Sequence, residues 1–298
     1  MEFDKSIYFN KFAKDGVCEA LKYLSLTTPK TLYKFYSLGS DDKMDAIKLK
    51  TLKENKIWVD LFKNQNDPFE MINFNINEET VKDKKNKNGE LIIDKRTLIP
   101  IYQKNLDFYK NSLKFASFTQ TMETNIAMWA YYTNNHKGFC CMFDIIDTSS
   151  YGMINIKPIF YESSILKLSS RFVEHLIVDG LNSLIADDRE MKIRALTNWE
   201  AIKIFGSCKD PSWSHEREYR IFYIKEGNDE GETVDAKTLN IELKAIYIGL
   251  NCSEKNEEEL INISEALNVP IYKMNKSDDN YSLVPVEIKK VGKNKNDG

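Results

Sequence analysis

Glycine is scarce in this chain, 12 of 298 residues. No GxGxxG follows a strand, and neither GxxxxGK[ST] nor GxSxG occurs, which excludes a phosphate-cradling glycine loop and a nucleophile elbow. The three histidines, His136, His175 and His215, stand without HExxH or any other ligand spacing. The five cysteines, Cys18, Cys140, Cys141, Cys208 and Cys252, are odd in number, include one adjacent pair and lack CxxC spacing. That pattern argues against a disulfide framework or a zinc knuckle, so no metal is expected. The longest apolar run, Ile126 to Tyr132, has seven residues, against the roughly 20 that a membrane-spanning helix needs. The charged start, Met-Glu-Phe-Asp-Lys, has no signal-peptide core. A cytoplasmic protein with no membrane partner is the expectation. Neither sign of charge dominates, with 42 basic and 45 acidic residues giving −3, so no global field marks a nucleic-acid binder.

What is present is a globular composition, 42% hydrophobic and 29% charged, with a rich 12% aromatic share. Alternation and turn signals predict strands over 31–36, 57–59, 114–121, 139–145, 154–161, 218–224, 241–248, 270–274 and 283–288. Helical spacing predicts a helix over 5–25 and one capped by Ser40 and running to about 55. Further helices are expected over 97–113 with Pro100 in the first turn, 125–133, 165–186, 188–206, and from the Ser253 cap to about 267. There is no repeat and no βαβ rhythm. The fold class is therefore α+β, with mixed or mainly antiparallel sheets and flanking helices in a single domain over residues 1–298. Residues 77–96, dense in charge and turning at Asn88-Gly89, read as an exposed insertion or hairpin, and 289–298 as a flexible basic tail.

The best candidate for chemistry is Trp213-Ser214-His215-Glu216-Arg217-Glu218-Tyr219-Arg220. Read as a strand, it puts Glu216, Glu218 and Arg220 on one face and Arg217, Tyr219, Ile221 and Tyr223 on the other. The second set runs into core, so the two carboxylates, about 7 Å apart along the strand, face solvent or a cleft. In a cleft they would stabilise a developing cation and activate an acceptor; on a surface they pair with neighbours. The run Met128-Trp129-Ala130-Tyr131-Tyr132, followed by His136, crowds aromatics onto one short helix. Such a wall stacks a base or a nicotinamide ring, or it packs as core. In Leu32-Tyr33-Lys34-Phe35, Tyr33 and Phe35 share a face, while Lys34 holds a phosphate or is solvated. Asn66-Asp67-Pro68-Phe69-Glu70 is a turn that could line a site. The lysines of 82–87 offer a weaker alternative, salt-sensitive contact with nucleic acid.

The blocks LYKF, IWV…NDPFE, FASFT, MWAYY…HKGF and K-D-P-x-W-x-x-E-x-E-Y-R lie in this order over roughly residues 31–250. Together they resemble a bacterial family of unknown function. The succession of a LYKF strand, a Ser-x-Thr strand and a late Glu-x-Glu is also similar to the ADP-ribosyltransferase plan. That resemblance implies an ADP-ribosyltransferase-like fold with NAD as substrate. It implies Glu218 as the catalytic glutamate, which binds the nicotinamide ribose and stabilises an oxocarbenium-like transition state, and Glu216 as the residue that positions the acceptor. Ser117 and Thr119 would line the pocket, and Trp129, Tyr132 and His136 would wall it. Tyr33 or Lys34 would anchor the NAD where that superfamily uses Arg or His. The implied partners are a small-molecule nucleotide and a protein or nucleic-acid acceptor, and the implied role is a toxin or phage-defence effector. The residues themselves also admit a non-enzymatic nucleotide- or peptide-binding module.

Overall fold

A computed structural model describes residues 2–70, 74–123, 125–165, 167–183, 189–225 and 230–289. The first predicted helix is broken at Gly16, whose φ of +90° lies in the left-handed region that side chains disfavour. The result is two helices, α1 (Lys5–Lys14) and α2 (Val17–Thr27). β1 (Thr31–Tyr36) follows, then α3 (Asp42–Lys53) and β2 (Lys56–Leu61). The cap of α3 is Asp41 rather than Ser40, since its carboxylate accepts the Lys43 and Met44 N–H groups. Within 77–96, β3 (Lys84–Lys85) and β4 (Leu91–Ile93) form a hairpin that turns at Gly89, φ +82°.

Asp94 caps α4 (Lys95–Ser112), an earlier start than predicted, which leaves Pro100 inside the helix and not in its first turn. β5 (Leu113–Thr119), α5 (Ile126–Tyr132) and β6 (Phe139–Ile145) come next. The strand predicted over 154–161 divides into β7 (Ile156–Pro158) and β8 (Phe160–Tyr161). The remaining elements are α6 (Ser170–Ser183), α7 (Arg189–Phe205), β9 (Cys208–Lys209), β10 (Glu218–Ile224), β11 (Glu232–Asp235), β12 (Ile241–Ile248), α8 (Glu254–Leu267), β13 (Ile271–Lys276) and β14 (Leu283–Lys289). Apart from the end of β14, the basic tail expected over 289–298 lies outside the described residues. No helix among the described residues is long and apolar enough to cross a membrane.

The fold is α+β. Its main sheet runs β11-β2-β5-β1-β6-β12-β13-β14, antiparallel except for β12 beside β13. β5 is the node. One of its edges pairs with β10 from Leu113 to Thr119. On the other edge β2 takes Lys114 and Phe115, β1 takes Thr119, and no described strand pairs in between. β1 and β2 therefore splay apart, and a cleft opens between them over the middle of β5. Apolar side chains fill both faces of these strands: Ala116, Phe118, Tyr219 and Ile221 in one core cluster, Phe115 and Phe222 in another. Burial on both faces holds the floor of the cleft rigid.

Candidate functional site

The cleft has a volume of about 280 Å³. β1 brings Tyr33 and Lys34 to it, and β5 brings Ser117 and Thr119. Tyr132 reaches it from α5, and Lys209, Glu216 and Glu218 from the segment that leads into β10. On the β2 side it is walled by Trp58, Asp60 and residues 64–66 of the following loop.

The late acidic segment departs from the predicted strand. Pro211–Glu216 forms a 3-10 turn, and Arg217 ends it with φ +44°, so β10 begins only at Glu218. Glu216 and Glu218 are consequently not alternate positions of one strand. They meet at a lysine instead: Lys209 Nζ lies 2.7 Å from Glu216 Oε2 and 3.0 Å from Glu218 Oε2. Neither carboxylate faces solvent, each residue being 4% exposed. On its other oxygen, Glu218 Oε1 accepts from Ser117 Oγ at 2.6 Å and Arg220 Nε at 2.9 Å. Arg220 Nη2 adds a longer contact to Oε2 at 3.4 Å. The same guanidinium grips both oxygens of Glu70, donates to the Gly206 carbonyl at 2.6 Å and lies 4.3 Å from the Phe115 ring centroid. Tyr132 donates its hydroxyl to Glu216 Oε1.

These contacts fix the protonation states. Burial alone would push the Glu218 carboxyl up, but Arg220 and Lys209, with the Arg220 and Ser117 hydrogen bonds, outweigh it and hold the group far below its usual range. At Glu70 the balance goes the other way, and burial raises the carboxyl despite Arg220. Burial, reinforced by the bond to Glu216, pushes the Tyr132 phenol up, so it remains a neutral donor. Burial lowers the Lys34 ammonium to about 8, against the pull of Glu218. Lys34 Nζ donates to the Ser117 carbonyl at 3.0 Å, in the gap between β1 and β2, and lies 5.3 Å from the Phe118 ring centroid.

The chemistry open to this arrangement follows from its donors. Ser117, Lys209 and Arg220 occupy both oxygens of Glu218, so the group is a fixed anion with no proton to give. It can stabilise positive charge; it cannot serve as a general acid. Glu70, Glu216 and Glu218 face Lys209 and Arg220, and Lys34 adds a further cation to the cleft. Among the described residues no group of three or more His, Cys, Asp or Glu could hold a metal ion.

Seven residues singled out in the sequence, Tyr33, Lys34, Ser117, Thr119, Tyr132, Glu216 and Glu218, thus line one cleft. Trp129 and His136 do not join them. Trp129 is fully buried in a separate cluster with Met122, Cys140 and Tyr247, its indole N–H bonded to the Met122 carbonyl at 3.2 Å. His136 stacks behind it with ring centroids 6.5 Å apart. Helical spacing brought these aromatics together, but only Tyr132 points at the site. Asn66 and Glu70 of the turn read as able to line a site also reach the cleft. Sequence reasoning did not single out Lys209 or Trp58. Each lies inside a block already noted, in K-D-P and IWV, but contacts made across the chain leave no periodic trace.

Residues 128–221 match the family model described as Protein of unknown function (DUF2971). The matched stretch runs from α5 into β10 and contains Tyr132, Lys209, Glu216, Glu218 and Arg220, whereas Lys34, Glu70 and Ser117 precede it. No curated protein and no solved structure matches the chain.

Proposed function

We propose that the cleft binds NAD and that Glu218 promotes breakage of the nicotinamide–ribose bond, in an ADP-ribosyltransferase-like or NAD-glycohydrolase-like enzyme. The observation that carries this reading is the Ser117–Glu218 bond at the cleft floor, with Tyr33 and Lys34 on the adjoining strand. When nicotinamide leaves with the bonding electrons, positive charge builds on the ribose, much as in glycoside cleavage. A carboxylate already ionised and held in place by Ser117, Lys209 and Arg220 lowers that barrier without reorganising. Lys34 offers its ammonium to a phosphate oxygen as a point charge. Glu216, held through Lys209 and Tyr132, is the residue beside which water or an acceptor group would add. A protein or nucleic-acid acceptor, and a role as a toxin or phage-defence effector, follow from the same resemblance. The test is release of nicotinamide from NAD by the wild type beside Glu218→Gln, with the wild type expected to release it and the variant not.

A second reading is a non-enzymatic nucleotide- or peptide-binding module. It is favoured by the fact that Glu70, Glu216 and Glu218 all have a cationic partner, as structural ion pairs do. NAD binding by calorimetry, with no release and equal affinity in Glu218→Gln, would establish it.

A further inference from the structure

β2 alternates its faces, sending Ile57 and Val59 into the core and Trp58 and Asp60 to the cleft. Trp58 is 46% exposed, a large indole left half in water at the rim of a cavity. We infer that Trp58, Asp60 and the amide run Asn64–Asn66 form the base-binding end of the cleft and take an adenine ring. The inference rests on the nucleotide reading of the cleft and adds which end of the ligand lies where.

The seat of the indole is built. Trp58 pairs with Thr233 of β11, and Gly231 stands just before that strand. A Cβ on Gly231 would lie 2.3 Å from Trp58 Cζ2 and 2.9 Å from Asp60 Oδ1. Backbone therefore packs directly against the indole and the carboxylate, where no side chain has room. Asp60 Oδ1 accepts the Leu61 N–H at 2.8 Å and Asn64 Nδ2 at 2.7 Å, which orients the first amide of the loop. Gln65 Nε2 is held by the Leu61 carbonyl at 3.3 Å, and Asn66 lines the cleft together with Tyr132.

Three consecutive amides beside an aromatic face meet the two demands of a base. The ring stacks on the indole, and its edge needs a donor next to an acceptor, which Asn and Gln supply to adenine as a matched pair. The distribution of charge agrees. The base is neutral, and this end of the cleft offers mainly amides. Phosphate is anionic, and Lys34 is a cleft cation with no carboxylate at ion-pair distance among the described residues.

Calorimetric titration with AMP and with ribose 5-phosphate, of the wild type, Trp58→Ala and Trp58→Phe, tests the subsite. The expected result is AMP binding weakened about tenfold or more in Trp58→Ala, as loss of one base–aromatic stack implies. Trp58→Phe should restore most of it, and ribose 5-phosphate should respond to neither variant. The Phe variant also keeps the test sound if the Ala variant folds poorly. Equal AMP affinity in wild type and Trp58→Ala, no AMP binding at all, or an equal loss for ribose 5-phosphate overturns the inference. Nicotinamide release from the same wild-type sample separates this claim from the one it rests on. Release together with Trp58-independent AMP binding removes the subsite and keeps the NAD reading. Trp58-dependent AMP binding without release does the reverse.

Discussion

Ser117 and Glu218 meet diagonally across the β5–β10 pair. Their register partners are Arg220 and Thr119, yet Ser117 Oγ lies 2.6 Å from Glu218 Oε1. Diagonal neighbours of an antiparallel pair are within reach of longer side chains, and the glutamate spans the offset. Ser117→Ala removes one of the two donors on that oxygen and leaves Arg220 Nε. A loss of about 1–3 kcal/mol is expected for a buried bond to a charged group, read as a lower urea midpoint. Nicotinamide release should fall about tenfold, roughly 1.4 kcal/mol of barrier. An unchanged midpoint would show that the bond contributes nothing.

Arg220 is fully buried and joins β10 to the loop after β2 through Glu70. Arg220→Met strands the Glu70 carboxylate in the interior and leaves Glu218 to Lys209 and Ser117 alone, with an expected loss of about 3–5 kcal/mol in chemical denaturation. Arg220→Lys should fall between that variant and the wild type, because an ammonium keeps the charge but cannot span Glu70, Glu218 and the Gly206 carbonyl. Adding Glu70→Gln to Arg220→Met should recover part of the loss, since the stranded charge is gone. Equal stability of Arg220→Met and wild type contradicts this account.

Two buried lysines set the pH response. Unfolded, each keeps its proton to about pH 10.4. Folded, burial lowers Lys34 to about 8, and burial together with Lys157 lowers Lys203 to about 7. Between these values the unfolded chain binds more protons, so stability rises with pH from about 7. Near pH 9 the sign reverses: unfolded thiols ionise, while burial holds Cys140, Cys141, Cys208 and Cys252 protonated, and these four together outweigh the two lysines, so the folded chain binds more protons. Urea midpoints from pH 6.5 to 10 should therefore peak between about 8 and 9, and Lys34→Met should flatten the rising limb. A steady decline from pH 7 upward would contradict it.

Gly138 immediately precedes β6, and a Cβ there would lie 1.9 Å from the Tyr36 carbonyl oxygen. Tyr36 pairs with Phe139 at the end of the β1–β6 ladder. Gly138→Ala should push apart β6 and the strand that carries Tyr33 and Lys34, at about 3 kcal/mol. Thermal unfolding measures the cost, and an unshifted midpoint would deny the close approach.

Much of the fold was readable in the residues. The ranges 31–36, 139–145, 218–224 and 241–248 appear as predicted strands, because apolar or alternating runs there are bracketed by proline or turn signals. Ser253 caps α8 as its hydroxyl foretells. The short β11 was missed because Glu232–Asp235 has neither length nor apolar alternation; its register against β2 makes it a strand. Arg217 is the instructive failure at the site. Nothing in the sequence marks it as left-handed, and that one backbone angle removes Glu216 from the strand. The ionic partners were hidden for another reason. Arg220 meets Glu70 150 positions away, a contact that only the tertiary fold creates.

The most direct measurement of the central claim is nicotinamide release at saturating NAD by wild type and Glu218→Gln, each verified as folded by circular dichroism. The amide keeps the shape and removes the charge. Release by the wild type that falls about a hundredfold or more in the variant is the predicted result, as expected when a fixed electrostatic group is lost. Equal rates from the two proteins, or no release from wild type that binds NAD, would contradict a catalytic role for Glu218.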